Sequence, residues 1–397
     1  MSLRFFIARR LGYRSRVVTT AVSITFLVVI IAVAVSGGFR HEIRRGLSEM
    51  TGDVQLTLSD MNYVDESSPV QVDQSYLPSV SEIEGVRSVS PVICRAGIVK
   101  QSDDIYGVLL KGVEGGAGKA AGADVPDTLS LAVSVPSSLA QTAGLKVGDR
   151  LLTYFIGDKV KVRQFNIAHV HEPLVRTDDR FMVYADIADM RRLNGWSEDQ
   201  TSMFEVAVDD AHKGETALRD VADKISDAIY YCSSPEDDML RAVSSADMFP
   251  QVFEWLTLID FNVMFVLVLM IAVAGVNMIT GLLIMLFENI PAIGLLKSLG
   301  MRNMDIVNVF LTRAAATLLK GMLIGNVLAF AFCFIQDATH FLPLDPVNYF
   351  VSYVPVHIDI VHVLCADAVA FVAIMLLLLV PSLFVLRVDP ARTVKMD

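Results

Sequence analysis

Two stretches of the chain carry residues of the types that do chemistry. The first, "GVEGGAGKA" at 112–120, has the glycines and the lysine of a phosphate-binding loop. Such a loop needs a glycine separated by four residues from the Gly-Lys pair, and a Ser or Thr after the lysine to reach Mg²⁺. Val113 and Ala120 stand at those two places, so the stretch reads as a flexible loop. The second, "HVHE", offers His169, His171 and Glu172 as metal ligands. His-x-His at strand spacing puts both rings on one face of any strand. With no second cluster to complete a coordination shell, structural histidines are the expectation. No Gly-x-Ser-x-Gly and no His-Glu-x-x-His occurs. The reading is a non-catalytic chain with no cofactor and no metal of its own.

The elements that would position any site are dominated by apolar runs. The 397 residues are 53% hydrophobic and 19% charged, with a mean hydropathy of +0.50. Soluble domains are nearer ~25% charged. Four segments are long enough for the ~20 helical residues that a bilayer core requires: 17–39, 261–287, 309–336 and 360–386. The first lacks a small-x-small cleavage site and is longer than a signal-peptide core, so it is expected to stay. Gly37 and Gly38 mark a weak point in the helix that continues from it. Lys320 is the one charge well inside a span. It either snorkels to the cytoplasmic edge, seven residues after Arg313, or makes a polar contact across a subunit interface.

Orientation follows from lysine and arginine. Residues 1–16 hold Arg4, Arg9, Arg10, Arg14 and Arg16 and no acid; the loop 288–308 has Lys297 and Arg302; the tail 387–397 has Arg387, Arg392 and Lys395. The loop 337–359 has neither Lys nor Arg. The positive-inside rule therefore puts both termini and 288–308 in the cytoplasm, and 40–260 and 337–359 outside. Residues 40–260 carry 21 basic against 36 acidic side chains. That balance argues against nucleic acid as a partner. Cys94 and Cys232 fall in this outer block, and the sequence leaves open whether they pair.

Within it, 75–113 reads as helix, strand, strand. "VPSSLAQTAGLKVGDRLLTYFIGDKVKVRQFNIAHV" reads as a short helix ending near Gly144 and a hairpin turning at Gly157–Asp158. "SMFEVAVDD" is a strand, and "KGETALRDVADKISDAIYY" a helix with Ala217, Val221, Ile225 and Ile229 on one face. The expectation is an α+β domain of two parts, from which "DMFPQVFEWLTLID" runs into the second span without a break.

The loop 288–308 is too short to cross and too apolar to be a plain linker. Asn289 is a candidate cap, Pro291 suits a first turn, and Gly300 fits the left-handed residue that ends a helix. Ile293, Leu296 and Leu299 give a narrow apolar face, and Asn303 is placed to cap the next helix.

Residues 292–310, "AIGLLKSLGMRNMDIVNVF", resemble the cytoplasmic loop of the FtsX/MacB/LolC-type permeases of ABC transporters. In that family a pattern close to Glu-Ile-Gly-Ile-Leu-Lys-x-Leu-Gly forms the coupling helix seated on the ATPase subunit. Ile293, Gly294, Leu295, Leu296, Lys297, Leu299 and Gly300 match it, while Ala292 stands where the family has Glu. The order of elements, "FFIARRLGYRS" and "RVDPARTVKMD" are similar as well, and 249–288 is most similar to the LolC/LolE branch.

The resemblance implies four transmembrane helices with a large α+β extracytoplasmic domain inserted between the first two, the MacB-like type VII ABC permease architecture, in a bacterial inner membrane. It implies a LolD-like ATPase dimer that binds the ATP, a second permease subunit, and a lipid-anchored cargo released by mechanotransmission. MacB-like export of periplasmic substrates and FtsX-like regulation of cell-wall hydrolases are its alternatives.

Overall fold

The computed structural model describes residues 16–58, 68–101, 104–116, 118, 131–157, 159–173, 181–345 and 349–382. The basic amino-terminal stretch, the carboxy-terminal tail, and Lys119 and Ala120 of the glycine-rich loop lie outside them. The chain divides into two compact units. One comprises Met1–His41, Leu256–Pro343 and Tyr353–Asp397; the other comprises Glu42–Trp255 and Leu344–Ser352.

The second unit is α+β. Its elements begin with the end of α1 (Arg16–Thr51), then β1 (Val54–Leu58), α2 (Leu77–Ser81), β2 (Val86–Gln101) and β3 (Asp104–Val113). There follow β4 (Ala132–Pro136), α3 (Ser137–Ala143), β5 (Arg150–Phe155), β6 (Lys161–His171), β7 (Phe181–Asp186) and α4 (Ile187–Asn194). The last are β8 (Met203–Val208), α5 (Glu215–Cys232), β9 (Leu240–Ser244) and α6 (Ser245–Met248). The strands run in the order β9-β1-β8-β2-β3-β7-β4-β6-β5.

The two expected parts are built on one strand. The sixteen-residue β2 pairs β8 through Val86–Val92 and β3 through Ile93–Gln101. Its far half also pairs β5, Ile98 with Tyr154 and Val99 with Thr153, which closes β2-β3-β7-β4-β6-β5 into a barrel. Ile93, Leu110, Val133, Phe155, Phe165 and Val183 fill it, with Leu139 of α3 and Met190 of α4 packed on the same core. Gly97 is required there, because a Cβ would come within 2.8 Å of Thr153 and 3.0 Å of Phe155. The β3–β7 and β4–β6 pairings are parallel, a feature that no hairpin signal could reveal.

Several local expectations hold and several shift. Helix α3 ends at Gly144, in the left-handed conformation. The face of α5 that is fully buried starts at Leu218 rather than Ala217 and continues through Val221, Ala222, Ile225 and Ile229. The strand pair β5–β6 is joined by 156–160, somewhat longer than expected, and Asp158 lies outside the described residues. Cys94 is buried, Cys232 is exposed, and both are free. The approach to the second span is broken: α6 ends at Phe249, whose φ of −124° and ψ of 57° leave the helical region.

The first unit holds four helices long and apolar enough to cross a membrane. These are α1, α7 (Pro250–Glu288), α9 (Asn303–Thr339) and α10 (Ile360–Ser382), with the short α8 (Ile290–Ser298) between α7 and α9. Helix α1 is unbroken at Gly37–Gly38. Those glycines permit a close approach instead. A Cβ on Gly38 would come within 2.3 Å of the Pro355 carbonyl oxygen, and the His357 N–H donates to Ala34 O at 3.0 Å.

Two further glycines decide how the helices pack. A Cβ on Gly325 would meet Ser23 O at 2.6 Å and Phe26 Cβ at 2.8 Å; one on Gly321 would meet Val22 Cγ1 at 2.6 Å. Small residues four apart let two helix backbones approach where no hydrophobic gradient drives them together. Gly275 differs, since the only close atom is Leu377 Cδ1, at 2.7 Å, the far end of a side chain that can rotate. Gly325→Ala should therefore cost about 1–3 kcal/mol by forcing α1 off α9, while Gly275→Ala should stay within about 0.5 kcal/mol. Thermal unfolding of the purified protein in detergent, one variant beside the other, measures the difference.

Candidate functional site

Helix α8 is fixed at both ends by its own backbone. Asn289 precedes it, but its side chain turns back and donates to Met285 O at 2.8 Å instead of capping. Pro291 lies in the first turn, as expected. At the other end Gly300 has a φ of 82°, its N–H donates to Lys297 O, and the Met301 N–H donates to Leu296 O, each at 3.0 Å. This pair of bonds is the Schellman arrangement, which satisfies carbonyls the helix end leaves open. The next helix is capped by Arg302, without a side-chain bond, and Asn303 is its first residue.

Burial divides the seven family-matched residues into two sets. Ile293 is 1% exposed and lies in one core with Met285, Leu286, Ile306 and Phe310; Gly294 is buried, and Leu296 packs against the same core. Leu295 is 60% exposed and Leu299 75%. Pro291 is exposed on the same side, four residues before Leu295, as are Ser298 and Gly300. Lys297 is half-buried. The displayed ridge is therefore Pro291–Leu295–Leu299, not Ile293–Leu296–Leu299. Both triplets have helical spacing and both are apolar, so periodicity alone could not choose between them. Lys320 is exposed on α9.

The side chains of the His-x-His-Glu stretch have structural partners. Both rings of the His-x-His pair meet Ser134 on one face of the barrel wall: Ser134 Oγ lies 2.8 Å from His171 Nδ1 and 3.4 Å from His169 Nδ1. His171 also packs on Tyr184, with ring centroids 5.0 Å apart. Glu172 accepts from Ser137 Oγ at 2.8 Å. Among the described residues no group of three metal-binding side chains converges.

One buried ion pair leaves no pattern in the sequence. Lys111 Nζ sits 2.7 Å from Glu205 Oε2 at the base of a recess of about 280 Å³ lined also by Glu49, Glu114 and Tyr184. Burial pushes the Glu205 carboxyl up, and Lys111 opposes it. Burial likewise raises the nearby Cys94 thiol to about 12, so it is no nucleophile.

A family model described as FtsX-like permease C-terminal matches residues 264–390, which include all of α8. Lipoprotein-releasing system transmembrane protein LolC of Neisseria meningitidis serogroup B (strain ATCC BAA-335 / MC58) is 20% identical over 404 residues, covering 95% of this chain and 92% of the relative. Residues 264–390 are thus an FtsX-like permease domain, and the whole chain is similar to FtsX/MacB/LolC-type permeases. Solved structures similar to parts of this permease include the periplasmic region of MacB from Actinobacillus actinomycetemcomitans, at 13% identity and a TM-score of 0.31 over 52% of this chain and 95% of that one. Another is the extracellular domain of the noncanonic ABC-type transporter YknZ from Gram-positive bacteria, at 12% identity and a TM-score of 0.29 over 48% of this chain and 98% of that one.

The histidine pair of the permease yields a pH prediction. Burial first, and the neighbouring His169 second, depress the His171 pKa from 6.5 to about 4. A histidine that binds protons less well when folded contributes its stability fully above the unfolded pKa. That contribution is lost as pH falls from about 6.5 through about 4. The loss should be at most about 3.5 kcal/mol, because one pKa unit corresponds to about 1.4 kcal/mol. Melting curves between pH 7.5 and 4.5 should show the wild type falling more steeply than His171→Gln, which keeps a partner for Ser134 but cannot titrate.

Proposed function

We propose that the chain is the non-catalytic permease subunit of an ABC transporter that releases lipid-anchored proteins from the outer leaflet of a bacterial inner membrane. ATP is bound and hydrolysed by a separate ATPase dimer. Helix α8 is the coupling helix, with Leu295 and Leu299 as its anchors, and a second permease subunit completes the assembly. The unit Glu42–Trp255 lies on the periplasmic side, an assignment supported by the lysine and arginine distribution.

One observation carries the reading: an apolar ridge displayed on a helix whose opposite side, through Ile293, is built into the core of the spans. A ridge of that kind presents large apolar side chains with their backbone already ordered, which lowers the cost of docking. The match to the lipoprotein-releasing LolC across nearly both chains supports the choice of cargo. MacB-like export and FtsX-like control of hydrolases remain outcomes of the test.

Leu295→Asp and Leu299→Asp should each weaken ATPase co-purification at least tenfold, about 1.4 kcal/mol or more, since a carboxylate would replace an apolar anchor that docking would bury. Melting of the permease should stay unchanged. Ile293→Asp should instead destabilise the permease itself, and Ala292→Glu should be tolerated. Normal ATPase binding by the double Leu295→Asp, Leu299→Asp variant would refute the docking role. Proteoliposomes holding the complex and a triacylated lipoprotein then identify the cargo: ATP-dependent release supports the proposal, and a co-purifying efflux partner or hydrolase without release replaces it.

A further inference from the structure

A helix ends with carbonyls that have no intrahelical donor. At the end of α1 these are met from β3. Lys111 Nζ donates to Glu49 O at 3.1 Å and Met50 O at 3.0 Å, and pairs with Glu205 Oε2 of β8 at 2.7 Å. The side chain is 3% exposed, and its three hydrogens have three acceptors. The chain then leaves α1 against the same strand: Gly52 has a φ of 72°, and a Cβ there would come within 2.9 Å of Glu205 Cβ. The Asp53 N–H donates to Val206 O at 3.0 Å, and Asp53 Oδ2 accepts from the Val208 N–H at 2.7 Å.

The start of α7 is held quite differently. It follows the non-helical Phe249, with no buried charge at the junction among the described residues. Of the two long helices that reach this unit, α1 is tied to its sheet by a buried ion pair, whereas α7 is packed by the apolar Val252, Phe253 and Leu256.

We propose that Lys111 is the positioning residue through which a displacement of α1 is delivered to β3 and the barrel built on it. This rests on the coupling role assigned to α8. A buried ion pair is weak grounds for stability, because an apolar pair of similar volume often serves as well. Tying carbonyls of one element to a carboxylate of another is what an apolar pair cannot do.

The test uses the full permease in complex with its ATPase, and hydrogen–deuterium exchange with and without a non-hydrolysable ATP analogue. Lys111→Met with Glu205→Met removes both charges together, and water entering the adjoining recess can hydrate the freed carbonyls. Should that variant not fold, Lys111→Met with Glu205→Gln gives the same reading. In the wild type the nucleotide should change exchange both in α8 and in β3. In the double variant the α8 change should persist and the β3 change should fall at least fivefold, with melting within a few degrees of wild type. An undiminished β3 response in the double variant overturns the proposal, as does a wild type that responds in α8 but not in β3. No response in α8 of the wild type overturns the coupling role of α8, and the role of Lys111 falls with it.

Discussion

Hydrocarbon offers no partner for a polar group, and that constraint shapes everything in the first unit. Each long helix satisfies its backbone internally, and most hydroxyls on them bond back to a carbonyl about one turn earlier: Ser23 to Thr19, Thr25 to Ala21, Thr280 to Val276 and Thr317 to Arg313. Two groups too polar to be handled this way find each other, as Asn326 of α9 donates to the buried Asp367 of α10. A buried carboxyl in a span is expensive enough to fix its neighbour. The pair therefore sets the register of α10 on α9, as Gly321 and Gly325 set that of α1 on the same helix. Helix α9 is the hub, and Ile306 and Phe310 at its start share a core with Ile293 of α8.

Close to the outer end of the spans the polar ties become ionic. Asp260 of α7 accepts from Ser36 Oγ at 2.8 Å and from the Arg40 guanidinium, both on α1. The segment 354–357 lies across α1 at Gly38, and His357 stacks on His41 with ring centroids 4.6 Å apart. Helix α8 shares a core with α9, α9 packs closely on α1, and α1 is itself one unbroken helix over Arg16–Thr51. The acidic excess of that unit is put to local use: Asp237 and Asp238 bind the backbone of Ser75 and Gln71, holding α2 near the end of α5.

What the sequence made legible was local and periodic. The spans follow from length and apolarity, the end of α8 from a single glycine, and the buried stripe of α5 from its spacing. What it hid was non-local or two-valued. Barrel closure joins Ile98 to Tyr154, and Lys111 meets Glu49 and Glu205 from opposite directions along the chain. Neither separation leaves a periodic trace. Gly37–Gly38 read as a weak point because glycine permits both flexibility and close approach, and only the position of Pro355 decides between them. The apolar stripes of α8 are two-valued for a related reason, because an apolar stripe shows that a face is buried by something but not by what.

That ambiguity follows from what the coupling role proposed for α8 demands. To transmit force it has to be anchored in the core of its own protein, which needs large apolar residues on one face. To receive force it must engage a partner's cleft, which needs them on the other. A short helix meeting both demands is apolar nearly all round, with a rigid stop at its end. Gly294 is buried and Gly300 supplies the stop. A nine-residue helix of this kind would be marginal in water alone, and here the core on its inner face supplies the order that its outer face uses.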